Sequence, residues 1–144
     1  MSGRYKHILV AVDGSKQSEK AFREALELAK ESRGHLYVAC IINEVEVAYS
    51  AYAYSKILAE EKANVELEML KKVHDAREFG LKQITPIVEL GNHKEYLTKI
   101  IPEAYPIDLI VIGSTGKGAI QKFTVGSTTD YVVNHAPCNV IVVK

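Results

Sequence analysis

The sequence predicts an α/β protein in which a five-stranded, mostly parallel sheet carries helices on both faces. Short apolar runs rich in β-branched residues alternate along the chain with longer segments whose apolar residues recur at helical spacing. No repeat, low-complexity tract or linker interrupts this alternation. The 144 residues, 47% hydrophobic and 25% charged, are enough for a sizeable core. We therefore expect one domain over residues 1–144, with right-handed crossovers between parallel strands.

The first three elements have the clearest patterns. Ile8 to Val12 predicts a buried strand, and the turn-forming residues Asp13 to Ser15 close it and open a helix. From Ser18 onward, apolar and charged residues recur at the spacing of an amphipathic helix that ends near Gly34. Leu36 to Ile42 is uncharged, which predicts a second strand covered on both faces.

The middle of the chain is less regular. Asn43 to Ser55 interleaves tyrosines with alanine and serine, a composition compatible with a loop, a partial helical turn or a cover over a pocket. Beyond this segment a long helical pattern runs as far as Gly80, which provides a left-handed stop. Ile84 to Leu90 predicts a third strand, and Pro86 favours an edge position because proline cannot donate a ladder hydrogen bond.

The last part of the chain again alternates helices and strands. Asn92 followed by Glu95 resembles an N-cap with its reciprocal partner, and it predicts a helix that Pro102 kinks or shortens. The remaining predicted elements are a strand, a short helix and a last strand, at Ile107 to Ile112, Ser127 to about Asn134, and Val140 to Val143.

Charge and hydropathy exclude several classes of function. The 18 basic and 18 acidic residues give no net charge, so the chain lacks the cationic excess typical of proteins that bind nucleic acids or anionic membranes. The apolar runs fall far short of the ~20 residues that span a bilayer. The amino end also lacks a secretory signal. We therefore expect a cytoplasmic protein with no nucleic-acid partner and no membrane partner.

The cysteines and histidines predict no metal centre. Cys40 lies in a predicted strand and Cys138 just before another, where we expect reduced, unpaired thiols that pack as small apolar groups. The five histidines show neither the HxxxH nor the HxH spacing that would suggest a metal site.

The segment from Gly113 to Thr129 carries the most informative pattern. Its glycines bracket two hydroxyl-rich patches, and the second patch opens the short helix. Glycine lets the backbone approach an anionic ligand, and a helix start presents unpaired N–H groups at the positive end of its dipole. Phosphate oxygens are therefore expected on three residues, Gly126, Ser127 and Thr128.

Two familiar nucleotide signatures do not fit. A Walker loop needs GxxxxGK followed by Ser or Thr, but Gly118 follows the only Gly-Lys pair. A dinucleotide fingerprint needs three glycines after the first strand, where only Gly14 is present. Lys117 and Lys122, in the glycine-bearing segment, are either solvated charges or contacts to a terminal phosphate.

Three segments together resemble the universal stress protein family. They are Ile8-Leu-Val-Ala-Val-Asp13-Gly-Ser15, the G-x2-G-x9-G-S motif that begins at Gly113, and His135-Ala-Pro-Cys-Asn-Val-Ile-Val-Val143. The resemblance covers nearly the whole chain and implies a Rossmann-like parallel sheet of order 3-2-1-4-5 and a homodimer formed through the last strand. In the branch that carries this motif, it also implies bound ATP. AMP and ADP are alternative ligands, and Mg²⁺ is compatible with them.

The resemblance also implies a set of nucleotide-binding residues, which are Ala11, Asp13, Ile41, Ile112, Gly113, Gly116, Gly126, Ser127, Thr128 and Thr129. Those at the ends of the first two strands would flank adenine and ribose. Those that follow the fourth strand would line the ribose and phosphates, and those that open the last helix would hold the phosphates. Ala11 and Asn139 stand where many members have proline, and neither departure removes a polar contact. Two alternatives remain, with Asp13 only a turn residue and Ser127 only an N-cap.

Catalysis has little support in the sequence. Phosphoryl transfer needs a positioned base and usually carboxylates for Mg²⁺, and near the motif only Asp13 and Asp130 are carboxylates. No catalytic residue is therefore predicted. We expect a stress-response regulatory protein that binds adenine nucleotide. A slow ATP hydrolase and a dimeric interaction protein without a nucleotide role are the alternatives.

Overall fold

Strands and helices alternate along the chain. The computed structural model describes residues 4–43, 51–115 and 126–144, with the backbone alone for 51–54. The elements are β1 (His7–Ala11), α1 (Lys16–Ser32), β2 (His35–Ile42), α2 (Ala51–Phe79), β3 (Gln83–Leu90), α3 (His93–Glu95), a π turn (Tyr96–Ile100), α4 (Ile101–Ala104), β4 (Leu109–Gly113), α5 (Ser127–His135) and β5 (Asn139–Val143).

The strands form one parallel sheet in the order β3-β2-β1-β4-β5. This confirms the predicted fold class and strand order. Pro86 lies opposite Val38 on the edge strand β3, as the missing N–H of proline predicts. The interior strand β4 is buried along its whole length, which explains its apolar sequence.

Two helical layers cover the sheet. Alternate residues of β1 face opposite sides, so Ile8 and Val10 pack with α1 and α2, whereas Leu9 packs with the π turn, α4 and α5. Cys40 packs against the core on the side of α1 and α2, and Cys138 packs against the core on the side of α5. Both cysteines carry thiols, as predicted. Among the residues described, no helix has the length and apolar character needed to cross a bilayer.

Helix α1 ends at Ser32, close to Gly34 as predicted. The left-handed residue that closes the helix is Arg33, with φ 55°, and not the neighbouring glycine. A Cβ at Gly34 would lie 2.9 Å from the carbonyl oxygen of Lys6, which also accepts a 2.8 Å hydrogen bond from the N–H of His35. Glycine is therefore needed here because two backbone segments approach closely, while arginine takes the turn conformation.

The segment from 43 to 55 is partly helical. Helix α2 begins at Ala51 and not after Ser55 as predicted, so the end of the ambiguous stretch belongs to the helix. Tyr49 lies outside the described residues, and so do the side chains of Tyr52 and Tyr54. The predicted cover over a pocket therefore stays a prediction.

The helical segment before β4 contains the predicted irregularity. Asn92 caps α3, and its side-chain oxygen accepts the N–H groups of Lys94 and Glu95 at 2.9 and 3.2 Å. The N–H of Ile101 donates to the carbonyl of Tyr96, five residues earlier, which makes the turn π-helical. The chain then continues through Pro102 as α4. The predicted kink is thus a widened turn.

Candidate functional site

A cavity of about 290 Å³ lies at the carboxyl ends of β1, β2 and β4. Ligands of parallel α/β sheets bind at this edge, beside the point where the strand order reverses, which here lies between β1 and β4. The predicted site residues that line the cavity are Ala11, Asp13, Ile41, Ile112, Gly113, Gly126, Ser127, Thr128 and Thr129. Gly116, Lys117 and Lys122 lie outside the described residues.

The floor of the cavity is apolar. Ala39 and Ile41 come from β2, Ile112 from β4 and Leu97 from the π turn, and all four belong to the core layer shared with α5. Ala39, Leu97 and Ile112 are at least nine-tenths buried, so their positions are fixed by packing. Such a floor can hold the flat face of an apolar or aromatic ligand group.

The turn between β1 and α1 places a carboxylate at the cavity. Asp13 accepts the N–H of Ser15 on its Oδ1 at 2.9 Å, and its own N–H donates to Oγ of Ser18 at 3.2 Å. Ser15 caps α1 by accepting the N–H of Ser18 on its Oγ. Asp13 is thus a turn residue as well as a cavity residue, and its carboxylate can accept hydrogen bonds from ligand hydroxyl groups.

The start of α5 forms a polar wall of the cavity. The N–H of Asp130 donates to the carbonyl of Gly126 at 2.9 Å, which is the first hydrogen bond of the helix. Gly126 is therefore the N-cap, and Ser127 is the first helical residue, which rules out the alternative that Ser127 serves only as the N-cap. The N–H groups of residues 127–129 precede that bond and have no acceptor within the helix, so they are available to an anion.

Two of the predicted residues hold the cavity together. Oγ1 of Thr129, a residue that is only 3% exposed, donates to the carbonyl of Gly113 at 2.6 Å. A Cβ at Gly113 would lie 2.9 Å from the carbonyl carbon of Gln17 in α1. The glycine at 113 is therefore required by helix packing, and its predicted contact with a ligand stays a prediction.

His93 lines the same cavity, and the sequence analysis missed it. Its Nε2 lies 3.0 Å from Oγ1 of Thr128. Burial lowers the pKa of His93, Lys94 lowers it further, and Asp13 acts in the opposite direction. The available signal was its position just after the third strand, because parallel strands bring their carboxyl ends to one edge of the sheet.

The donor set fits phosphates better than a resident metal. Among the residues described, no group of three or more His, Cys, Asp and Glu side chains could hold a metal ion. Asp13 is the one carboxylate among the described lining residues. Mg²⁺ commonly binds nucleotide phosphates together with one or two carboxylates, so Asp13 is the side chain that could assist a phosphate-bound ion.

The chain is similar to known proteins over almost its whole length. A model of the universal stress protein family matches residues 4–144. A Staphylococcus haemolyticus protein named as a universal stress protein is 35% identical over 142 residues, which cover 97% of this chain and 85% of that protein. The solved structure of universal stress protein UspA from Lactobacillus plantarum has a TM-score of 0.89 and 31% identity, with 99% of each chain covered.

Two further solved structures share the fold at lower identity. A universal stress protein in complex with cAMP has a TM-score of 0.72 and 21% identity, with 97% of each chain covered. The universal stress protein from Archaeoglobus fulgidus in complex with dAMP has a TM-score of 0.70 and 21% identity, over 97% of this chain and 98% of that one. Because the family model and the Staphylococcus relative both match nearly the full sequence, this chain belongs to the universal stress protein family.

Proposed function

We propose that this protein is a regulatory protein of the stress response that binds ATP in the cavity between the sheet edge and the start of α5. The observation that carries the proposal is the convergence of Asp13, Ile41 and the first turn of α5 on one cavity. These residues come from three distant parts of the sequence, and the family resemblance implies a nucleotide contact for each. We further propose that the chain acts as one domain in the cytoplasm, where ATP is abundant.

Each part of a nucleotide has a suitable surface in the cavity. The apolar floor around Ile41 and Ile112 suits adenine, and the carboxylate of Asp13 suits the ribose hydroxyl groups. The N–H groups of residues 127–129 and the positive end of the α5 dipole suit phosphate oxygens. The two neighbours solved in complex with cAMP and dAMP hold adenine nucleotides, which supports this class of ligand.

A single substitution tests the site. Gly126 has φ −62° and ψ 155°, a conformation open to any residue, so Gly126→Val should fold. Valine is a poor N-cap, and we expect a loss of about 1 kcal/mol in stability. Its side chain should obstruct the approach to the N–H groups of α5 and weaken ATP binding at least tenfold, or about 1.4 kcal/mol. Isothermal titration calorimetry measures this affinity.

The control is Asn134→Val, which introduces the same side chain near the other end of α5. Its ATP affinity should equal that of the unmodified protein, and circular dichroism should show both variants folded. Equal affinities for Gly126→Val and the unmodified protein would reject the site. No ATP binding by the unmodified protein would reject the function.

Bound ATP must also be distinguished from hydrolysed ATP. We expect the purified protein to retain ATP at one equivalent per chain through a long incubation, because Asp13 is the one carboxylate among the described lining residues. Native mass spectrometry identifies the bound nucleotide. Repeated turnover to ADP would show instead that the protein is a slow hydrolase.

A further inference from the structure

His93 is placed to contact a phosphate at the start of α5. It is the first residue of α3, where the Asn92 cap fixes the helix end. Its Nε2 reaches Oγ1 of Thr128 at 3.0 Å, and Thr128 belongs to the turn that offers N–H groups to an anion. His93 therefore lies beside the first turn of α5, on the same cavity.

The surroundings of His93 lower its pKa and so favour the uncharged ring when no anion is bound. Burial and the ammonium of Lys94 both lower its pKa, and the carboxylate of Asp13 offsets part of this effect. His93 also borders a wider groove of about 920 Å³ to which α1 and α2 contribute charges of both signs, namely Glu19, Glu61, Glu68, Lys71, Lys72 and Asp75. A phosphate beside the ring would add a negative charge next to it and favour the imidazolium.

We propose that His93 binds a phosphate group of the nucleotide and takes up a proton when it does so. This inference rests on the proposed function, since it concerns how the same cavity holds ATP. A neutral ring is already hydrogen-bonded to Thr128, and a charged ring can donate to the phosphate from one of its two N–H groups. Binding of the phosphorylated ligand is thereby coupled to pH.

The direction of the coupling follows from linkage. Affinity should rise as pH falls through the pKa that His93 has in the complex, and level off below the pKa it has in the empty cavity. A change of one pKa unit corresponds to a tenfold change in affinity. For a pKa that rises by about one unit on binding, the ATP affinity of the unmodified protein should therefore rise about tenfold from the basic to the acidic end of this range. This rise comes in addition to any that a variant without a titrating group at residue 93 shows.

The experiment compares three proteins by calorimetry between pH 6 and pH 8. These are the unmodified protein, His93→Gln, and the control His74→Gln on the exposed side of α2. Glutamine keeps a hydrogen-bonding group for Thr128 but cannot titrate. Titration of the ATP phosphates is common to all three proteins and cancels. Buffers that differ in ionisation enthalpy report the protons taken up on binding.

We expect the unmodified protein and His74→Gln to take up protons when they bind ATP. The variant His93→Gln should bind ATP without this uptake. Adenosine, which lacks phosphate, should bind all three without this uptake. Equal uptake by His93→Gln would overturn the role of His93 and leave the proposed function standing. No ATP binding by the unmodified protein would overturn both.

A second measurement needs no variant. Proton NMR of the imidazole groups in the unmodified protein should show the pKa of one histidine rising when ATP is added and staying unchanged with adenosine. If no histidine pKa rises while ATP is bound, the inference is wrong even where His93→Gln fails to fold.

Discussion

Gly113 and Gly126 belong to the same motif but have different physical reasons to be glycine. Gly113→Ala should lower the free energy of unfolding by about 1–3 kcal/mol, because its Cβ would press on the backbone of Gln17. Chemical denaturation measures the change. Gly126→Ser is the matched control, since serine is a favourable N-cap and the backbone there accepts any residue. Equal stability of Gly113→Ala and the unmodified protein would show that α1 can shift to make room for the added methyl group.

The cavity residues show what a sequence can predict at this scale. Asp13 and Ser127 were predictable because turn formers and hydroxyls at the end of a strand or the start of a helix have few alternative uses. His93 was not predictable from spacing, since its partner Thr128 is 35 residues away and only the folded sheet brings them together. The reason for Gly113 depends on the position of α1, which no local pattern contains.

At the scale of single elements, an aromatic cluster joins His7 of β1, His35 and Tyr37 of β2, and Tyr105 between α4 and β4. The ring of His35 stacks on Tyr37 with centroids 4.1 Å apart, and its Nε2 lies 2.6 Å from Oγ1 of Thr85. Burial lowers the pKa of His35, and the nearby ring of His7 lowers it further. The cluster therefore favours an uncharged His35.

This cluster makes the stability of the fold depend on pH. The folded state lowers the pKa of His35, so the unfolded chain binds more protons and the contribution to stability is lost as pH falls below about 6.5. We expect the free energy of unfolding to decrease from pH 8 to pH 5.5, and to decrease less in His35→Gln. His74→Gln, on the exposed side of α2, should behave like the unmodified protein. An equal decrease in His35→Gln would contradict this origin.

The ends of strands and helices could be predicted from the sequence where the end of an apolar pattern coincides with turn-forming residues. The observed strand ends differ from the predicted ones by at most two residues, because apolar runs mark the buried part of a strand and not its last hydrogen bond. The start of α2 was missed because alanine and tyrosine near residue 51 fit several conformations. The left-handed conformation of Arg33 could not be predicted, because Gly34, which would ordinarily adopt it, is needed instead for the close contact with Lys6.

At the scale of the whole molecule, β5 is the edge strand of the sheet that the described residues form. The carbonyl of Val143 accepts the N–H of Ser114 at the end of β4, so Val143 and Ile141 direct their backbone groups towards β4. Successive residues of a strand point to opposite sides, so Val140 and Val142 direct theirs to the open edge. This edge can pair with a second copy, and two-fold symmetry makes that pairing antiparallel and closed at two subunits.

We accordingly expect a homodimer formed along β5. Val140→Pro removes an outward N–H and should shift the protein from dimer to monomer in sedimentation velocity without unfolding it. Ile141→Pro removes an N–H that faces β4 and should lower stability instead. The side chains of Ile141 and Val142 both pack partly against the protomer's own core, on opposite faces, so neither isolates the interface. A monomeric unmodified protein at micromolar concentration would refute the dimer.

The π turn before α4 has an evolutionary consequence. Its hydrogen bond spans one residue more than the hydrogen bond of an α-helical turn. The turn is followed closely by Pro102, whose ring would clash with the carbonyl four residues earlier in a regular helix. Losing a residue between Tyr96 and Ile101 would restore that regular helix and bring back the clash. The extra residue and the proline should therefore be gained and lost together. In family members with a shortened segment, we expect a residue other than proline at the position of Pro102.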